Sequence, residues 1–271
     1  MNLFVYLTIF IIGTLFGSFF SLAIYRIPLK KDITHERSFC PKCNHRLEFF
    51  DLIPVLSYIF LRGKCRYCGE KVRIRYLVLE LTSGFVFLFA FMSLNLNITN
   101  IDFSRLIYFL SFIFMYITIA LIIGIDKEYR VINKSVLLFG LIMQIIYILY
   151  LYIVEGANIY RYNIYVMIMI IFIIIDMYIQ KKNKKGNYIL QIIAFSIYIS
   201  LCVGSSLFCI IGIISIIEII VFNIIKNIKN NSNKQTDILK KNENIKTYIG
   251  FFIGITTIII GIIENFFIFV F

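Results

Sequence analysis

Apolar and polar positions in this chain come in long blocks rather than at the short periods of half-buried elements. Apolar runs cover Leu3–Tyr25, Leu77–Leu94, Leu106–Ile125, Val136–Val154, Ile164–Ile179, Tyr188–Val203, Ser205–Val221 and Tyr248–Phe271. Each is near the ~20 residues that a helix needs to cross the hydrocarbon core of a bilayer. The pattern therefore predicts an all-α membrane protein with eight transmembrane helices. The break at Gly204-Ser205-Ser206 is required because one helix from Tyr188 to Val221 would exceed a bilayer even when tilted.

Lys and Arg set the orientation. Of 27 basic residues, 25 fall in four stretches, Arg26–Arg75, Asp126–Ser135, Gln180–Asn187 and Asn223–Thr247. With eight spans these stretches share one side, which is then the cytosol, and both termini face outward. Only Arg105 and Arg161 lie on the other side. The first apolar run has no basic residues before it and is too long for a cleavable signal; it reads as a first span.

Composition agrees. The chain has 271 residues, of which 60% are hydrophobic and 15% charged, against about 45–50% and 25% in soluble domains. An ordinary soluble enzyme, a disordered chain and a disulfide scaffold are excluded. Trp is absent, which leaves 18 Tyr as interfacial anchors. The net charge of +12 would suggest nucleic acid on a soluble surface. Here it is topogenic, with some attraction to anionic membrane lipid, and no nucleic-acid partner is expected. No internal repeat is expected, and Asn223–Thr247 reads as a flexible loop.

Three domains follow: a first helix at 1–25, a cytosolic segment at 26–75 and a seven-helix region at 76–271. The cytosolic segment holds Cys40-Pro-Lys-Cys43 and Cys65-Arg-Tyr-Cys68, separated by 21 residues. Two C-x2-C knuckles can give a closed four-thiolate site, the geometry of structural zinc. Disulfides are disfavoured in the cytosol; redox-active or incidental cysteine pairs are the competing reading. The expected product is a zinc-ribbon-like insert between the first and second helices, with Cys40, Cys43, Cys65 and Cys68 as ligands. Cys202 and Cys209 read as packing residues.

The stretch Gly17-Ser18-Phe19-Phe20-Ser21-Leu22-Ala23-Ile24-Tyr25-Arg26-Ile27-Pro28 resembles the first signature of the type IV prepilin peptidases. The two knuckles follow, with Asp51-Leu52-Ile53-Pro54-Val55-Leu56-Ser57-Tyr58 between them and Arg75-Tyr76-Leu77-Val78-Leu79-Glu80-Leu81 after them, in the order of that family. Ile245-Lys246-Thr247-Tyr248-Ile249-Gly250 is similar to the start of its final helix, with Lys246 and Thr247 as departures. The resemblance implies a membrane aspartic protease of the bacterial cytoplasmic membrane. Such enzymes cleave the short basic leader of type IV prepilin or pseudopilin precursors at the cytosolic face. It also implies possible methylation of the new N-terminus with S-adenosylmethionine, for which the residues give no fingerprint of their own.

The resemblance places catalytic carboxylates at two cytosolic helix ends. Ile125-Asp126-Lys127-Glu128-Tyr129-Arg130-Val131-Ile132-Asn133 is similar to the family's D-x5-I-P segment, with Asn133 in place of Pro. Without the resemblance, Asp126 would read as a solvated helix-end acid. The second carboxylate belongs in a G-x-G-D-x-K motif, where this chain reads Lys184-Lys185-Gly186-Asn187-Tyr188-Ile189. Asn187 stands where the Asp belongs. Asn can donate a hydrogen bond but cannot ionise. An introduced change, a degenerate paralogue and replacement by Asp176 are the three explanations, with Asp176 disfavoured as too deep in its helix.

Glu80, Asp176, Glu218 and Glu264 are acids inside apolar runs, where such groups face a bundle interior or a wet cavity. Glu80 is expected either to hold the loop, through Arg73 or Arg75, or to act in catalysis; the others read as ties between helices. Arg26 and the other basic loop residues are expected to attract anionic lipid or a substrate glutamate. Two further functions compete with the peptidase: an impaired zinc-bearing protein that binds prepilins, and a transporter. The transporter would need repeat symmetry that the chain lacks.

Overall fold

The structure is a computed structural model that describes residues 2–35, 37–93, 102–129, 131–158, 160–183, 191, 193–195 and 197–199. Its long helices are α1 (Asn2–Arg26), α3 (Arg75–Ser93), α4 (Phe103–Tyr129), α5 (Lys134–Glu155) and α6 (Tyr160–Asn183), with a 3-10 turn (Phe49–Asp51) and a short helix, α2 (Leu56–Phe60), between α1 and α3. Among the described residues, five helices are long and apolar enough to cross a membrane. They coincide with the first five apolar runs to within about four residues at either end. The sixth run is helical at the few positions described within it. The seventh and eighth runs lie outside the described residues. The chain divides into two compact units, one of Met1–Gly124 with Ile260–Phe271 and one of Ile125–Ile259.

In the first unit α1 and α3 pack antiparallel. Gly13 lies against Ser83 and Gly84, and Gly17 one turn later lies against Leu79 and Glu80. A Cβ on Gly17 would sit 2.5 Å from the Leu79 carbonyl oxygen, and one on Gly13 would sit 2.7 Å from that of Ser83. Gly13 and Gly17 thus form a small-xxx-small face that lets two backbones touch, as membrane helices do where apolar lipid gives no drive to associate. Gly84 is the matching small residue on α3, facing Phe10 and Thr14. Tyr116 on α4 joins this pair. Its hydroxyl lies 2.9 Å from Ser83 Oγ, and its ring meets Phe20 and Phe87.

In the second unit Asn133 caps α5 by accepting from the Ser135 N–H at 2.9 Å. The cap marks the start of the helix, because an Asn side chain satisfies a first-turn donor directly. Gly156 ends α5 with φ +63°. Its left-handed backbone is the usual glycine stop.

Candidate functional site

The four cysteines meet. Their sulfurs all lie within 4.8 Å of one another and could hold a metal ion; Cys40 Sγ and Cys68 Sγ are 3.8 Å apart. A tetrahedral ion with Zn–S bonds of about 2.3 Å requires an S···S edge of about 3.8 Å, so the cage fits zinc and is far too open for disulfides.

The two knuckles are built alike. The Cys40 N–H donates to the His45 carbonyl and the Asn44 N–H to the Cys40 carbonyl; Cys65 with Glu70, and Gly69 with Cys65, repeat this pattern. Asn44 and Gly69 occupy the same place in the two turns, at φ +57° and +70°. These are the two residue types that best tolerate left-handed backbone. The bridges Phe39–Arg46 and Lys64–Lys71 close the two turns. No internal repeat was expected from the sequence, yet these knuckles are a local one.

Their surroundings divide the thiols. The Cys43 N–H, against desolvation and with help from the Lys42 N–H, draws Cys40 down to about 7. The Glu70 N–H favours the Cys68 thiolate, but desolvation and the three neighbouring sulfurs outweigh it and push Cys68 up to about 12. Four thiolates close together need a cation to share.

Three charged side chains fix the insert. Arg26, at the end of α1, is buried and donates to the carbonyls of Asp32 at 2.9 Å and Arg37 at 3.2 Å. Arg26 was expected to attract lipid or a substrate carboxylate; its guanidinium is instead turned inward onto backbone. Asp51 forms an ion pair with Arg66, whose Nε is 2.7 Å from Oδ1, and accepts the Tyr67 hydroxyl at 3.1 Å, while Tyr67 stacks on His45 of the first knuckle. Glu80 accepts the Val55 N–H at 2.7 Å. Glu80 therefore does hold the loop, through its backbone.

The second cluster lies around the α4–α5 turn. Asp126 is fully buried, three residues before the end of α4. Asp176 on α6 is also buried and accepts Lys134 Nζ at 3.0 Å and Gln191 Nε2 at 3.2 Å. Gln191 in turn accepts the Ile132 N–H at 3.3 Å. Asp176 is thus a tie between α5 and α6, as its place in an apolar run suggested. Asn187 lies outside the described residues, as do Glu218 and Glu264. Gln191 was not singled out from the sequence. Its only signal is a polar amide in an apolar run.

Residues 11–94 match the sequence model of the Bacterial Peptidase A24 N-terminal domain. They take in most of α1, the whole cysteine insert and α3. The chain is similar to the prepilin leader peptidase/N-methyltransferase of Vibrio cholerae, 42% identical over 88 residues, covering 29% of this chain and 35% of the relative. Those of Myxococcus xanthus and Bacillus subtilis are each 42% identical over 79 residues, which is 29% of this chain and 24% and 32% of theirs. The matches thus span about a third or less of these relatives' length. No solved structure matches. The matched residues include the four cysteines, whereas Asp126 and the Lys134–Asp176 pair lie beyond them.

Proposed function

We propose that this chain is a prepilin leader peptidase of the bacterial cytoplasmic membrane, with eight spans, outward termini and the cysteine insert in the cytosol. The observation that carries this reading is the A24 domain with its complete four-thiol cage. Cys40, Cys43, Cys65 and Cys68 would hold zinc, which when bound would lock the two knuckles together. A closed four-sulfur set leaves no open position for a substrate, so its role is structural. Substrates are type IV prepilin or pseudopilin precursors whose basic leaders lie at the cytosolic face. N-methylation with S-adenosylmethionine rests on the names of the relatives alone.

Asp126 supplies the carboxylate. An acid pair cleaves a peptide when one ionised member takes a proton from water and its protonated partner polarises the carbonyl. In this reading Asp126 takes the ionised part and position 187 faces it. Asn187 can donate a hydrogen bond to the carbonyl oxygen but cannot return a proton or exchange roles. Loss of one general acid–base group costs about 10²–10⁴ in rate. The second reading, an impaired protein that binds prepilins, is favoured by Asn187 itself. Asp176 is the weaker substitute, since Lys134 and Gln191 already engage it.

The test is leader cleavage by the full chain in lipid nanodiscs. Asn187→Asp raises cleavage by about 10²–10⁴, and Asp126→Asn abolishes both the basal and the raised rate. Prepilin capture without cleavage in the Asn187→Asp protein supports the binding protein instead. Unchanged activity in both variants ends the assignment of the pair.

A further inference from the structure

We propose that the four-cysteine insert lies against the bilayer, with an aromatic edge inserted among anionic lipid headgroups. The edge is formed by the 3-10 turn Phe49–Asp51 and by α2, which pack on each other. Phe49, Phe50, Ile59 and Phe60 are 77%, 66%, 58% and 79% exposed. Phe49 and Phe50 stand edge to face with ring centroids 5.9 Å apart. Large exposed apolar side chains on two short elements that pack together, in a small polar segment, mark a surface that is covered in use.

Charge indicates what covers it. The edge is clamped to the second knuckle, through Asp51 to Arg66 and Tyr67 and through the Tyr58 hydroxyl to the Val72 carbonyl at 3.4 Å. That knuckle carries Arg62, Lys64, Lys71 and Arg73, all exposed. Phe60 precedes Arg62 by two residues, and the Val72 N–H returns to the Gly63 carbonyl. Apolar rings beside a basic rim are the composition of elements that lie in the membrane interface.

Tethering gives the third argument, and it rests on the reading that α1 and α3 cross the bilayer. The insert leaves α1 at Arg26 and enters α3 at Arg75, and these helices are antiparallel. Both attachments are therefore at one end of one helix pair. The insert is held within a few residues of the headgroups, where even a weak interfacial preference is expressed. A pilin helix, the alternative occupant, lacks the tether, and its basic leader would be repelled by the basic rim.

The chain has no Trp, so each single substitution yields one fluorophore. We specify the full zinc-loaded chain in nanodiscs of phosphatidylglycerol and phosphatidylcholine, with bromine placed shallow or deep on the acyl chains. Phe60→Trp and Phe50→Trp are expected to be blue-shifted and to lose most of their emission to shallow bromine. The loss is weaker in phosphatidylcholine alone. Lys42→Trp, on the first knuckle, is expected to remain solvated. Phe89→Trp, on the exposed face of α3, must be quenched by deep bromine; if it is not, the spanning reading fails, separately from this proposal. Solvated emission from Phe60→Trp and Phe50→Trp with Phe89→Trp quenched overturns the proposal. Equal quenching of Lys42→Trp, equal quenching in both lipids, or a blue shift seen only after prepilin is added does so too.

Discussion

Lys134 Nζ lies 3.0 Å from Asp176 Oδ2, joining the first residue of α5 to the middle of α6. The carboxylate side chain is 3% exposed and the lysine 19%. Gln191 extends the tie to the Ile132 N–H in the turn that follows Asp126's helix. The pair thus ties the start of α5, next to that turn, to α6.

Removing one partner strands the other. Lys134→Met leaves a buried carboxylate without its cation and is expected to cost on the order of 3 kcal/mol. Lys134→Met with Asp176→Leu removes both charges and is expected to be more stable than Lys134→Met alone. Thermal unfolding of the full chain in one detergent decides this. A double variant no better than the single would show that the pair carries little coupling.

Three glycines should respond differently to alanine. At Gly17 the new Cβ meets the Leu79 carbonyl oxygen and the Glu80 backbone, which cannot yield without separating α1 from α3. A loss of about 1–3 kcal/mol is expected, the scale of overpacking. At Gly84 the Cβ meets the side chains of Phe10 and Thr14, which can shift, so the loss is smaller. Gly69 has open space but φ +70°. Alanine there costs about 1–2 kcal/mol through backbone strain alone. Melting temperatures in the order Gly17→Ala below Gly84→Ala would bear out the close approach.

Five helices were legible because crossing a bilayer demands long apolar runs, and that demand is written residue by residue. The cysteine cage was legible for a similar reason: a metal site needs two ligands per short turn. What escaped was set by contacts between distant positions. Nothing near Arg26 announces that its guanidinium turns onto the carbonyls of Asp32 and Arg37, because those are backbone acceptors. Gln191 pairs with Asp176 from fifteen residues away. The turn Phe49–Asp51 and the five-residue α2 are too short to carry a period.

Zinc binding should tighten as pH rises. Metal ligation needs thiolates, and in the metal-free cage Cys68 is pushed up to about 12, so its proton must leave at any working pH. Cys40 sits near 7. Above that pH it is already a thiolate, and below it a further proton must be displaced. Affinity is therefore expected to fall as pH drops and to fall more steeply below about pH 7. Competition with a chromophoric chelator, read across that range, checks the slope. Cys40→Ser or Cys65→Ser should abolish tight binding, since each removes a buried ligand from a four-sulfur set.

Val55 and Glu80 make a matched pair of opposite effects. Val55 has φ +62° and ψ −52°, and the Leu56 N–H closes onto the Pro54 carbonyl at 2.6 Å around it. This is a γ-turn of the strained hand, at a β-branched residue. Glu80 compensates by accepting the Val55 N–H. Val55→Gly removes strain of about 1–3 kcal/mol and gives back about 0.5–1 kcal/mol in chain entropy. It is expected to be neutral or stabilising. Glu80→Ala leaves the strain and orphans the N–H, at a cost of about 1–3 kcal/mol. Glu80→Gln keeps an acceptor and loses less. Hydrogen exchange at the Val55 amide separates the two roles. Exchange should speed up greatly in Glu80→Ala and much less in Glu80→Gln. Equal protection in all three proteins would mean that the turn holds itself, and that Glu80 is free for another task.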